Sequence, residues 1–281
     1  MAFSLVRPAS VEEALRLVGT GPQGGGVPLA GGTDLLLDLD DGRVSAERIV
    51  SLDRLPWKTL AWEGDRAVVG ATLPLARLGA DRMIRIRLPG LADGIAAVGS
   101  LALRHRATLG GNLGRAAPAS DLLPILLASG AAVRIVGPAG PREVPVSRFL
   151  LGSRRTDLQP GELIASVAVP EAPLSAYVWQ RVRPANDVSQ VGVAVAWSGA
   201  SGRWRVALGG VQPTPTLVEE AGAALPQERP TEVEIDAAGR AAASHARFVT
   251  DKRASEQYRR RLVSTLVKRG LERAIAAPGA R

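Results

Sequence analysis

Leu29-Ala30-Gly31-Gly32-Thr33-Asp34 and, further along, Thr108-Leu109-Gly110-Gly111-Asn112 are the two stretches that organise the chain. The first lies between a short apolar run, Val27 to Ala30, and Leu35, Leu36, Leu37 and Leu39, which are spaced as a helix and closed at Gly42. Arg48 to Leu52 follows as a second apolar run. Strand, glycine turn, helix and strand in that order predict a small parallel crossover unit. Glycine has no Cβ, so its N–H can approach an anion closely. A helix start just beyond adds unsatisfied N–H groups and partial positive charge, a combination suited to a pyrophosphate. Thr33, Thr108 and Asn112 can add side-chain hydrogen bonds to phosphate or ribityl oxygens. Each charge–dipole contribution is only about 0.3–1 kcal/mol, so tight binding needs several. Either turn alone is equally what any tight bend in a Gly-rich chain requires. We read no G-x-G-x-x-G dinucleotide fingerprint and no P-loop lysine motif in the chain, so a standard Rossmann site is not expected.

Outward from these stretches, Ser10-Val11-Glu12-Glu13 reads as a capping box before a helix through Ala14, Leu15, Leu17 and Val18 that ends near Gly19. Gly21 to Gly26 reads as a flexible turn. Arg66 to Ala71 is a strand, and Leu75 to Ala80 and Leu91 to Val98 are helices. Pro118-Ala119-Ser120-Asp121 leads into a helix over Leu122 to Ala128, capped at Ser120 or its neighbour and closed by Gly130. By local pattern, the carboxylate of Asp121 at this helix start is a cap. Ala132 to Val136 is a strand, Pro138 to Pro145 a turn, and Ile164 to Val169 an alternating strand. Pro170-Glu171-Ala172-Pro173 marks a domain boundary. Val191 to Trp197 and Trp204 to Leu208 alternate around Ser198 to Gly202 as an antiparallel hairpin. The last third is helical, broken at Pro226 and Pro230, with Tyr258, Leu262, Leu266 and Arg269 on one helix face.

Composition narrows the chemistry. The sequence has no cysteine, which excludes disulfides, iron–sulfur clusters and thiolate metal sites built within it. Its two histidines, His105 and His245, have no metal-type spacing, and a Ser-His-Asp site would need one of them. We therefore expect no metal ligands and no catalytic side chain, the chemistry belonging to a bound cofactor. There is no apolar run of membrane-spanning length and no basic-then-apolar leader over Met1 to Ser10, so the expected setting is cytoplasmic, away from membranes. The net charge is +8, and Arg247 to Arg281 holds ten Lys/Arg against three Asp/Glu. We read that run as a solvated helix face or a subunit contact. Nucleic acid is not expected, because aromatics at 4% are too sparse for base-stacking platforms.

The two turns, in this order and distance, resemble the flavin loops of the FAD-binding (medium) subunit of the xanthine dehydrogenase and carbon monoxide dehydrogenase family of molybdenum hydroxylases. Pro28 to Leu36 is similar to the first loop, and Arg104 to Leu113 with Pro118 to Leu122 to the second. Val69-Gly70-Ala71-Thr72 is similar to the strand between them. Arg183 to Val195, Tyr258 to Leu262 and Leu266 to Arg269 are similar to the family's C-terminal domain. The resemblance implies an α+β fold: a two-lobed FAD-binding domain of the vanillyl-alcohol oxidase (PCMH) type over 1–170, with lobes of about 1–55 and 56–170. A C-terminal domain of small antiparallel sheet plus helices then spans 171–281.

The resemblance further implies non-covalent FAD held by Leu29, Ala30, Gly31, Gly32, Thr33, Asp34, Leu35, Thr108, Gly110, Gly111, Asn112, Ala117, Ser120, Asp121, Ile164 and Gln180. Asp121 would then accept from a ribityl or adenosine hydroxyl. The implied partners are an iron–sulfur small subunit and a molybdopterin large subunit, with electrons leaving the flavin for NAD, oxygen or another carrier. Three positions depart from the family. Arg115-Ala116-Ala117-Pro118 replaces a common His-Ala-Asp-Pro run, His105 replaces Asn, and Gln180 stands where some relatives place a Lys near the flavin. A Gln there would leave the reduced flavin's charge unneutralised and lower its potential. Two other readings share some of these features. A stand-alone FAD-dependent oxidoreductase would turn over an organic donor by itself, and a non-catalytic basic binding module would stay colourless with FAD.

Overall fold

The computed structural model describes residues 3–19, 25–183, 186–227 and 229–276. The chain opens with β1 (Ser4–Val6), α1 (Val11–Val18), β2 (Val27–Leu29), α2 (Leu35–Asp40) and β3 (Arg48–Ser51). Its strands form a parallel sheet in the order β1-β3-β2. The central β3 buries Ile49 and Val50 fully, and α1 packs Ala14 and Val18 into the same core as Val50, Leu52 and Trp57. The crossover unit around the first glycine turn is thus present as expected; the β1 edge strand was not foreseen.

Ser10 caps α1 through Oγ, which accepts from Glu13 N–H at 3.1 Å. The expected return arm is displaced, because the Glu13 carboxylate takes the N–H of Ala9, not of Ser10. The Gly21–Gly26 turn lies outside the described residues up to position 24. The reading that no G-x-G-x-x-G occurs needs correction: Gly19 to Gly24 matches it, but it comes after α1 and before β2 in the chain, the reverse of the order a dinucleotide fingerprint needs.

The middle of the chain runs β4 (Leu60–Glu63), β5 (Arg66–Gly70), α3 (Leu75–Ala80), α4 (Arg82–Arg87), α5 (Pro89–Ala97), α6 (Leu101–Arg104), α7 (Leu109–Arg115), α8 (Leu123–Ala128), β6 (Ala132–Val136), β7 (Arg142–Pro145), α9 (Val146–Phe149), β8 (Leu150–Gly152), β9 (Arg155–Thr156) and β10 (Leu163–Pro170). Five strands form an antiparallel sheet, β4-β5-β10-β6-β7. β10 is central, with Val167, Ala168 and Val169 fully buried, and Leu75, Leu78, Ile84, Leu91 and Leu126 from the helices complete the core. Arg142 to Pro145, expected within a turn, is instead an edge strand paired with β6. Its Pro145 sits at the strand's end, where a missing N–H is tolerated.

The last part holds β11 (Ser175–Gln180), β12 (Val191–Ser198), β13 (Arg203–Gly209), β14 (Thr216–Leu217), α10 (Glu219–Ala223), α11 (Glu232–His245) and α12 (Glu256–Ile275). The expected hairpin is β12–β13, and the sheet order is β11-β12-β13-β14. Alternation along β12 places its two faces in different cores. Ala194 and Ala196 join the core of the five-stranded sheet's helices, while Val191, Val193 and Val195 pack with α11 and α12. The buried face of α12 is Val263, Leu266, Val267, Gly270, Leu271 and Ala274, together with Arg259, while Tyr258 is exposed. The expected face was therefore offset. Arg259 lies in that stripe because its guanidinium donates to Gly210 O at 2.6 Å and pairs with Asp251, leaving no buried charge unpaired. No helix among the described residues is long and apolar enough to cross a membrane.

Candidate functional site

The two glycine stretches line one cleft of about 310 Å³. Gly31 lies against the chain that enters the second stretch. A Cβ there would fall 2.1 Å from Arg106 O, so only glycine permits the contact. Gly32 has φ of +80°, the left-handed region that L side chains rarely adopt.

The second pair does not precede its helix, as the sequence suggested; Gly110 and Gly111 are the first turn of α7 itself. Thr108 is the N-cap, and its Oγ1 accepts from Gly111 N–H at 3.0 Å. That N–H is therefore taken up within the cap, while the Thr108 hydroxyl keeps its own hydrogen to donate. Gly110 is demanded by packing, since a Cβ would lie 2.6–2.9 Å from three atoms of Ala71 at the end of β5.

Gly114 is different. A Cβ there would find only Ile164 Cδ1, at 3.9 Å, and its φ is not positive. Within the protein neither packing nor backbone geometry calls for glycine, although glycine inside a helix costs about 1 kcal/mol relative to alanine. Its effect is to bare the helix. Gly111 and Gly114, three residues apart, leave a bare strip on the cleft-facing side of α7, between the side chains of Asn112 and Arg115 that also line the cleft, so an extended ligand can lie against backbone there. Gly114 is not among the residues singled out from sequence; its Gly-x-x-Gly spacing to Gly111 was the available signal.

Ala30, Thr33, Asp34, Leu35, Thr108, Asn112 and Ile164 also line the cleft. Leu29, Ala117, Ser120, Asp121 and Gln180 do not. Leu29 ends β2, and Ala117 follows the left-handed Ala116 at the close of α7. Ser120 works at one remove: its Oγ donates to Asn112 Oδ1 at 2.6 Å and accepts from Leu122 N–H at 3.2 Å. Gln180 Nε2 donates to Arg181 O at 2.9 Å.

Asp121 is not the helix cap that its local pattern suggested. It is buried, and it accepts from Tyr177 Oη at 2.8 Å, Ser189 Oγ at 2.6 Å and Arg181 Nη2 at 2.7 Å. Burial pushes its carboxyl up, against the pull of Ser189 and Arg181.

The cleft also has apolar walls that the sequence did not mark, from Val98, Leu103, Leu158 and Leu163. Its remaining charged lining is Asp38, Arg115 and Glu162. Glu162 accepts from Arg142 Nε at 2.7 Å and Nη2 at 2.6 Å, and these bonds hold its carboxyl below the usual range. A depressed folded pKa contributes stability above the unfolded value and loses it as pH falls through the folded one. Glu162→Gln should therefore melt earlier than the parent at neutral pH, by an amount corresponding to roughly 1 kcal/mol. The gap should close as pH drops below the ordinary carboxylate range. Thermal melts of both proteins across acid pH test this; a gap that widens in acid refutes it.

Comparison with known proteins gives matches along the chain. Residues 1–172 match the FAD binding domain in molybdopterin dehydrogenase, and residues 176–274 match the CO dehydrogenase flavoprotein C-terminal domain. The carbon monoxide dehydrogenase medium chain of Afipia carboxidovorans is 28% identical over 98% of this chain and 97% of its own length. The xanthine dehydrogenase FAD-binding subunit of Escherichia coli is 28% identical over 97% of this chain and 96% of its own. Among solved structures, carbon monoxide dehydrogenase from Hydrogenophaga pseudoflava superposes with a TM-score of 0.88 at 29% identity, covering 98% of both chains.

Proposed function

The chain belongs to the molybdenum hydroxylase flavoproteins, as an FAD-binding medium subunit, and from that premise we propose that it is the electron-transfer subunit of a larger complex. In this reading it receives electrons from iron–sulfur clusters of a small subunit, beside a molybdopterin large subunit, and delivers them to an acceptor such as NAD or oxygen. FAD supplies the redox chemistry when bound. This chain's own residues bind and orient the cofactor and shield it from water. Gly31 and Gly32 bring backbone to one side of the cleft and the bare face of α7 to the other. Asn112, held by Ser120, offers its side-chain amide. Val98, Leu103 and Ile164 give apolar walls. The two lobes meet at this cleft, with the residues from 171 onward as the C-terminal domain.

The observation that carries this reading is the convergence of two distant glycine pairs on one cleft whose helical wall is bare at Gly111 and Gly114. Purified chain titrated with FAD should saturate at one flavin per chain and turn yellow. Tagged chain recovered from its own cells should bring with it one iron–sulfur and one molybdopterin polypeptide. A yellow chain that oxidises an organic donor unaided would instead make it a stand-alone flavoprotein.

A further inference from the structure

Besides Glu162, which Arg142 holds, the ionisable groups lining the cleft are Asp34, Asp38 and Arg115. Two carboxylates therefore share the one guanidinium of the lining, in a site read as holding a dianionic diphosphate. Carboxylates beside such a ligand repel it, and the repulsion strengthens as water is excluded. Arg115 stands at the last position of α7, on the opposite wall from α2. Its Nη1 pairs with Asp38 Oδ2, its Nη2 donates to Asp38 Oδ1 at 3.1 Å, and its Nε lies 3.5 Å from Asp34 Oδ1. Asp38 is 3% exposed at its side chain, so solvent does little to screen it. Arg43 reaches the same carboxylate at 3.2 Å from beyond the end of α2, but that side chain is 47% exposed.

We propose that Arg115 is a positioning residue for the cofactor. By neutralising Asp34 and Asp38 from across the cleft, it makes the first glycine turn able to accept a diphosphate. Arg is the side chain suited to the task. Its charge is permanent, and its fork matches the buried carboxylate in a bidentate pair. The inference rests on FAD occupying this cleft and deepens that reading by assigning the electrostatic balance to one residue.

The test is a set of charge variants of the full chain, measured by FAD fluorescence titration. Thermal melts without cofactor confirm that each variant folds, and wild-type binding separates failure here from failure of the cofactor reading. Arg115→Gln should weaken FAD by about tenfold. Part of that loss should return at higher ionic strength, because added salt screens the uncovered acids. Arg115→Lys should stay within about threefold of the parent, since the charge is kept. Neutralising the buried acid as well, in the double variant Asp38→Asn, Arg115→Gln, should recover most of the lost affinity. Unchanged affinity in Arg115→Gln overturns the proposal. So does a double variant as weak as Arg115→Gln alone, which would mean that Arg115 touches the cofactor directly.

Discussion

Gly114→Leu is expected to abolish FAD binding while leaving the empty protein as stable as its parent, or more so. A Cβ there would meet only Ile164 Cδ1, at 3.9 Å, and Gly114 lines the cleft, so the new side chain is directed into the cleft and not into the core. A leucine there fills the space that the bare face of α7 keeps open, and loss of at least about a hundredfold in affinity follows, some 2.7 kcal/mol or more. Against that, replacing a helical glycine by leucine returns up to about 1 kcal/mol of helix stability. For a chain of this size that is a rise of about 2–4 °C in melting temperature. Gly110→Ala is the control with opposite signs. Its Cβ would press on Ala71 at 2.6–2.9 Å, so it should lower stability by about 1–3 kcal/mol through overpacking. Flavin titration and melts of the two apoproteins decide the matter. Parental affinity in Gly114→Leu would show that the wall of α7 is not the cradle.

The contrast between these glycines also shows what local sequence carries and what it does not. The first turn was legible because its whole context is local: a three-residue strand, a glycine with positive φ and a short helix fall within Val27 to Asp40. The hairpin β12–β13 was legible for the same reason, its alternation and turn being contiguous. The second glycine pair was found, but its setting was misread. Gly110 is fixed by Ala71, which is remote in sequence, and no periodicity reports that contact. Among the strands that escaped notice, β1, β4 and β7 are short sheet edges with half-exposed faces, where hydrophobic alternation is weakest. On α12, the pattern of apolar residues steps over Arg259, because a buried arginine is recognisable only with its partners Asp251 and Gly210 in view. Arg115 and Asp38 are charged residues on separate helices, and nothing local couples them.

Asp121→Ala is expected to be strongly destabilising to the protein without cofactor. Its carboxylate collects donors from three residues across the joint between α8 and the C-terminal sheet. Arg181 is 5% exposed at its side chain, so alanine leaves a guanidinium buried without a carboxylate. Removing one partner of such a pair costs about 3–5 kcal/mol, more than the intact pair contributes relative to an apolar substitute. The remaining contacts soften the loss only in part. Arg181 Nη2 also donates to Ala97 O at 2.7 Å, and the guanidinium lies 5.3 Å from the Trp179 ring. Tyr177 loses its acceptor in a space made for its hydroxyl, where a Cβ on Gly192 would come within 2.1 Å. The melting temperature should fall by roughly 6–12 °C. Unfolding should nevertheless remain a single transition. Ala194, Ala196 and Ala207 of the C-terminal sheet share one apolar core with α5 and α8, and that burial does not depend on the carboxylate. The double variant Asp121→Ala, Arg181→Met removes both charges and should recover about half the loss or more. If the double variant proved less stable than Asp121→Ala, the uncompensated guanidinium would not be the cause of the damage. If the single variant unfolded in two steps, the ionic cluster, and not the shared apolar core, would be what joins the two halves.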